Sequence, residues 1–70
     1  MRRVPVSSEV LRSVGYDATR RILEAEFTSG AVYRYSGVPP EVHEGLMAAD
    51  SHGHYFNAYI RDQYRYDRVS

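Results

Sequence analysis

Residues 21–35, RILEAEFTSGAVYRY, decide the fold. Leu23, Ala25 and Phe27 alternate with Glu24 and Glu26, the period-two pattern of a strand with one buried face. Thr28-Ser29-Gly30 then reads as a three-residue hairpin loop whose glycine takes the left-handed conformation of a bulge. Phe27 therefore flanks Ala31, and counting outward sets Ala25 opposite Tyr33, Glu24 opposite Arg34 and Leu23 opposite Tyr35. A two-residue turn at Ser29-Gly30 would shift this register by one and move both tyrosines to the acidic face, where two aromatic rings would stand exposed. The longer loop keeps them on the apolar face and is the preferred reading.

Upstream, Val10 to Tyr16 is short, apolar and β-rich, and the polar Asp17-Ala18-Thr19-Arg20 suits a loop of about four residues between two antiparallel strands. Downstream, Val38-Pro39-Pro40 ends the sheet, because adjacent prolines remove ladder donors, while Pro40 suits the first position of a helix. Val42, Leu46 and Ala49 then fall on one helical stripe, with Glu41 and Glu44 near the positive end of the dipole. Ser51 caps a second helix in which Tyr55, Phe56, Tyr59 and Ile60 recur at intervals of three and four, running to about Gln63. The expected fold is α+β: a three-stranded antiparallel β-meander followed by two short helices packed on one face. A single domain fills residues 1–70, with its core between about 6 and 64 and loose tails, Tyr64 to Ser70 among them.

A chain of 70 residues buries only about 60% of the surface its unfolded form exposes, so its net stability is about 3–5 kcal/mol. Enclosed ligand clefts commonly need about 300 Å³ or more, which disfavours an enzyme with a deep pocket. Without cysteine there is neither a disulfide framework nor a thiolate metal site. Nine basic residues, all arginine, balance nine acidic ones to a formal charge of zero, unlike the basic excess of most phosphate-binding chains. No stretch is apolar enough to span a bilayer and the opening Met1-Arg2-Arg3 does not lead into a signal-like run, so no membrane association is expected and the expected address is the cytoplasm.

The candidate site residues follow from this layout. Tyr33 and Tyr35 read as half-buried core rings whose hydroxyls reach an edge, or as a surface on which bases stack. Arg34 points the other way, opposite Glu24, as a cross-strand ion pair or a phosphate contact. Arg2, Arg3, Arg12, Arg20 and Arg21 converge into a basic patch if the N-terminus lies over the first hairpin, and are scattered surface charge if it does not. Asn57 and Arg61, four apart, form a polar recognition spot or a solvated surface. His43, His52 and His54 do not suit a metal site, since residues two apart on a helix diverge by about 200°. Ser51 with His54 lacks an orienting acid, and its capping role already accounts for the serine. No cofactor, metal or catalytic constellation is expected, and no small-molecule substrate.

Beyond these features, Ser7-Ser8, Val14-Gly15-Tyr16-Asp17, Leu23, Phe27, Gly30, the central Tyr33-Arg34-Tyr35, Val38-Pro39 and Ser51-x-Gly53-x-Tyr55-Phe56-Asn57 with Ile60-Arg61 carry a family likeness. Over roughly Val6 to Tyr64 the chain resembles the KTSC domain, found alone in bacteria and at the C-terminus of some lysyl-tRNA synthetases. The resemblance implies a small non-catalytic binding module whose partner is RNA or tRNA, and the residues offered for that contact by the layout above are Arg12, Arg20, Arg21, Arg34, Tyr33 and Tyr35. The alternative is a protein-interaction or homodimerisation module, since seven tyrosines and an unpaired sheet edge suit that role equally.

Overall fold

Gly30 adopts φ 98°, and the 28–30 loop closes with Phe27 and Ala31 paired, the Phe27 N–H donating to Ala31 O at 2.9 Å. That single closure sets the register of the central hairpin. In the computed structural model, which describes residues 1–70, Ala25 faces Tyr33, Glu24 faces Arg34 and Leu23 faces Tyr35, as the three-residue loop requires. A sheet of five strands in sequence order, β1 (Arg3–Pro5), β2 (Leu11–Asp17), β3 (Ile22–Phe27), β4 (Val32–Ser36) and β5 (Arg65–Arg68), is antiparallel throughout. Between β4 and β5 the chain forms α1 (Pro40–Ala48) and α2 (His52–Tyr59).

The expected three-stranded meander is thus corrected to five strands. Arg3–Pro5 pairs with Ser13–Gly15, and Arg65–Arg68, read as part of a frayed tail, pairs with Tyr33–Ser36. Both added strands are short and depend on partners distant in sequence, so local composition alone does not define them. The second helix also stops at Tyr59 rather than near Gln63. Ile60, fully buried, leaves helical geometry at φ −121°, and the Arg61 N–H returns to Phe56 O, turning the chain back toward the sheet.

Local chemistry explains the remaining joints. Asp17 Oδ1 accepts from the N–H groups of Thr19 and Arg20 at 3.0 and 3.2 Å, nucleating the first hairpin loop. A β-bulge at Arg12 shifts the β2–β3 register and turns Leu11, rather than Arg12, onto the face that carries Val14. Pro40 starts α1, and Ser51 Oγ accepts from the His54 N–H at 3.2 Å to cap α2.

The two helices cover one sheet face. Their Leu46 and Phe56, with Val38 and Ile60, meet Leu11, Val14, Leu23, Ala25 and Tyr35 in one buried cluster. At about 25 cal/mol per Å² of apolar surface, such burial is the largest contribution holding a cysteine-free domain together. Where the helices approach each other, Gly45 leaves room for the Tyr55 ring: a β-carbon there would collide with the Tyr55 hydroxyl and come within 2.7 Å of Cζ.

The opposite face carries no helix and is built from charge. Register places Arg3, Gly15, Glu24, Arg34 and Asp67 in one row across all five strands. Because Gly15 has no side chain, Arg3 reaches over it to Glu24, Nη1 to Oε2 2.6 Å, while Arg34 Nε holds Oε1 at 2.8 Å. A β-carbon on Gly15 would lie 2.8 Å from Arg2 O and 3.0 Å from Arg3 Cγ. No helix of the chain is long and apolar enough to cross a membrane.

Candidate functional site

Alternation along β4 separates the central motif before any ligand is considered. Tyr33 and Tyr35 turn toward the helices and Arg34 toward the open face, so the two tyrosines and the arginine lie on opposite sides of the sheet. The six residues expected to form one nucleic-acid surface therefore do not form one.

On the helix side, β5 adds a ring that sequence reasoning did not include. Register sets Tyr66 opposite Tyr35, and its ring lies 5.6 Å from that of Tyr35 and 5.5 Å from that of Tyr33. Phe27 meets Tyr33 edge-on at 5.6 Å and Phe56 at 5.4 Å, and Phe56 meets Tyr35 at 5.3 Å. The result is a closed circuit of five aromatic rings, each contact within the favourable range for offset or edge-to-face pairs. Tyr35 is the floor: it is 3% exposed, and burial pushes its phenol up to about 12. Tyr66 is the outer member, 53% exposed.

Four of these rings, Phe27, Tyr33, Tyr35 and Tyr66, line a groove of about 570 Å³ whose rim includes Glu9, Arg61 and Asp62. Arg61 stands just past the end of α2, and its Nη1 donates to Asn57 Oδ1 at 3.4 Å on the exposed surface. The aromatic floor suits a flat ring that stacks, and at the rim Arg61 stands among two carboxylates, Glu9 and Asp62, as the single cation of the lining.

The open face behaves differently, since most of its arginines are occupied. Glu24 is 4% exposed and held by both Arg3 and Arg34. Burial pushes its carboxyl up, but the hydrogen bonds and charges of Arg34 and Arg3 outweigh burial and hold it below the ordinary carboxylate value. Arg12 lies at the far end of β2, 3.7 Å from Glu26 and donating to Thr28 O. Arg20 is 3.9 Å from Asp17, and Arg21 occupies a positive-φ position in the hairpin loop. Arg2, Arg20 and Arg34 do line a shared depression of about 400 Å³ with Tyr16 and Asp17. Arg3 is drawn to Glu24 and Arg12 to Glu26, so the five-arginine patch does not assemble as such.

The histidines serve packing and turns. His43 stacks on Tyr16 with ring centroids 4.4 Å apart and planes 9° apart, and burial pushes its pKa down. Tyr16 in turn donates its hydroxyl to Val38 O at 2.6 Å. His52 Nδ1 lies 2.8 Å from Leu46 O, and the His54 N–H is held by the Ser51 cap. Three His, Asp or Glu side chains nowhere converge in a metal-binding group.

Comparison with known proteins places this geometry. Residues 7–64 match the model of the KTSC domain. A crystal structure of a KTSC domain protein from Yersinia pestis superposes with a TM-score of 0.96 at 36% identity, covering 99% of this chain and 97% of that one. An uncharacterised protein from Stutzerimonas stutzeri is 54% identical over 70 residues, 99% of each chain. A lysine–tRNA ligase from Nostoc punctiforme is 38% identical over 61 residues, which span 87% of this chain and only 11% of the ligase.

Proposed function

This chain belongs to the KTSC domain family, and from that membership and the groove together we propose that it is an RNA-binding module that holds an unpaired nucleotide. The observation that carries the reading is Tyr66, set beside Tyr33 and Tyr35 with half its surface open in the groove that Arg61 also lines. A base stacks on the free side of Tyr66, and Arg61 meets the adjoining phosphate. Because one groove with one rim arginine neutralises few phosphates, binding is local and single-stranded rather than spread along a duplex, which accords with the zero net charge. The ligase similarity adds support, since the relative's activity concerns tRNA, although the shared segment is a small part of that enzyme.

Fluorescence anisotropy with a short labelled single-stranded RNA tests the proposal. Loss of a stacking ring costs about 1–3 kcal/mol, so Tyr66→Ala weakens binding roughly 5- to 150-fold. Arg61→Ala lowers the slope of log affinity against log salt by about one. Binding by Tyr66→Ala at wild-type strength rejects the groove as the site.

A further inference from the structure

The sheet ends in two unlike edges. β1 is three residues long and contains Pro5, which has no N–H to offer a neighbouring strand. β5 has four residues, Arg65-Tyr66-Asp67-Arg68, all exposed and none a proline. The Val69 N–H donates to Val32 O at 2.8 Å. The Val69 N–H therefore points inward, and by alternation along the ladder the backbone groups of Asp67 and Arg65 do too, while Tyr66 and Arg68 turn their backbone N–H and C=O toward the free edge.

We infer that β5 pairs antiparallel with β5 of a second copy of this chain, centred on Tyr66, to give a continuous ten-stranded sheet. Two-fold pairing through the free backbone groups of Tyr66 and Arg68 permits only a few registers. Centring on Arg65 sets Arg65 against Arg65, centring on Asp67 sets Asp67 against Asp67, and centring on Arg68 sets Arg68 against Arg68. Each of these places like charges directly opposite, which destabilises a strand pair. Centring on Tyr66 alone sets Arg65 opposite the partner's Asp67, twice, and places the two copies of Tyr66 side by side at the symmetry axis. Arg65 and Asp67 both lie on the open, charged face, in line with Ser36 and Arg34, so both ion pairs extend the existing charged rows. Tyr66 lies on the helix face and lines the groove, so the two grooves adjoin across the axis.

Sedimentation equilibrium on the intact chain, from about 5 to 500 µM and without RNA, reads this directly. The expected wild-type mass rises with concentration from 8.1 kDa to twice that value. Arg65→Asp and Asp67→Arg each stay monomeric, because each sets like charges across the axis, and an equimolar mixture of the two recovers the dimer by complementary pairing. Wild type monomeric across the range overturns the inference, as does either variant dimerising as the wild type does. Should the variants not fold, amide exchange of the wild type still decides: the Tyr66 and Arg68 N–H groups slow as concentration rises if β5 pairs, and exchange equally fast at every concentration if it does not. Neither readout involves RNA, so this inference and the RNA reading fail separately.

Discussion

Replacing Glu24 by Gln keeps the shape of the side chain while removing the charge that two guanidinium groups share. The carboxylate is 4% exposed and accepts at 2.6 Å from Arg3 and 2.8 Å from Arg34. Hydrogen bonds to a charged partner contribute about 1.5–3 kcal/mol each, and the partly exposed ends of both arginines reduce this through solvent screening. The expected loss is about 2–3 kcal/mol, a large share of the stability of so small a domain, equivalent to a fall in Tm of roughly 10–20 °C. Glu24 has a native pKa below its ordinary value of 4.5, so its stabilisation is present above that pH and is lost as pH falls through the native value. Urea denaturation of wild type and Glu24→Gln at neutral pH, then in steps toward about pH 2, should therefore show a gap that closes on acidification. A variant within about 0.5 kcal/mol of wild type at neutral pH would refute the reasoning.

Two single contacts give further expectations. Gly45→Ala gains about 0.5–1 kcal/mol of helix propensity but drives a β-carbon into the Tyr55 ring, so a net loss of about 1 kcal/mol is expected. Net stabilisation in urea would show that Tyr55 moves aside freely. With the Tyr35 phenol at about 12, stability drops by about 3 kcal/mol between about pH 10 and 12, because the unfolded chain ionises there while the native ring does not. Tyr35→Phe should flatten that alkaline fall, as read from urea midpoints; an unchanged slope places the effect elsewhere.

The central hairpin was legible because its information is local. A loop ending in a residue able to adopt positive φ and a strict alternation through Leu23, Ala25 and Phe27 leave one register that buries both tyrosines. Pro40 and Ser51 likewise announce helix starts through their own chemistry. The edge strands were not legible in this way. Arg3–Pro5 depends on Gly15 being bare, and Arg65–Arg68 on an exposed edge of β4 about thirty residues earlier. A signal for β5 did exist: Tyr64-Arg65-Tyr66-Asp67 repeats the alternation of Tyr33-Arg34-Tyr35, which a tail has no reason to keep. Missing it hid Tyr66, the outermost ring of the groove. Arg12, by contrast, lies in a bulge, and what it faces depends on where the β2–β3 ladder slips.

An amide NMR titration of the labelled chain with tRNA or a short single-stranded RNA, at about 50 and then about 200 mM salt, bears most directly on the RNA reading. Salt-sensitive shifts are expected at Tyr33, Asn57, Arg61 and Tyr66, with Arg34 on the other face and Arg20 and Arg21 in the first hairpin loop little changed. Shifts confined to the open face, or none at low salt, would overturn that reading.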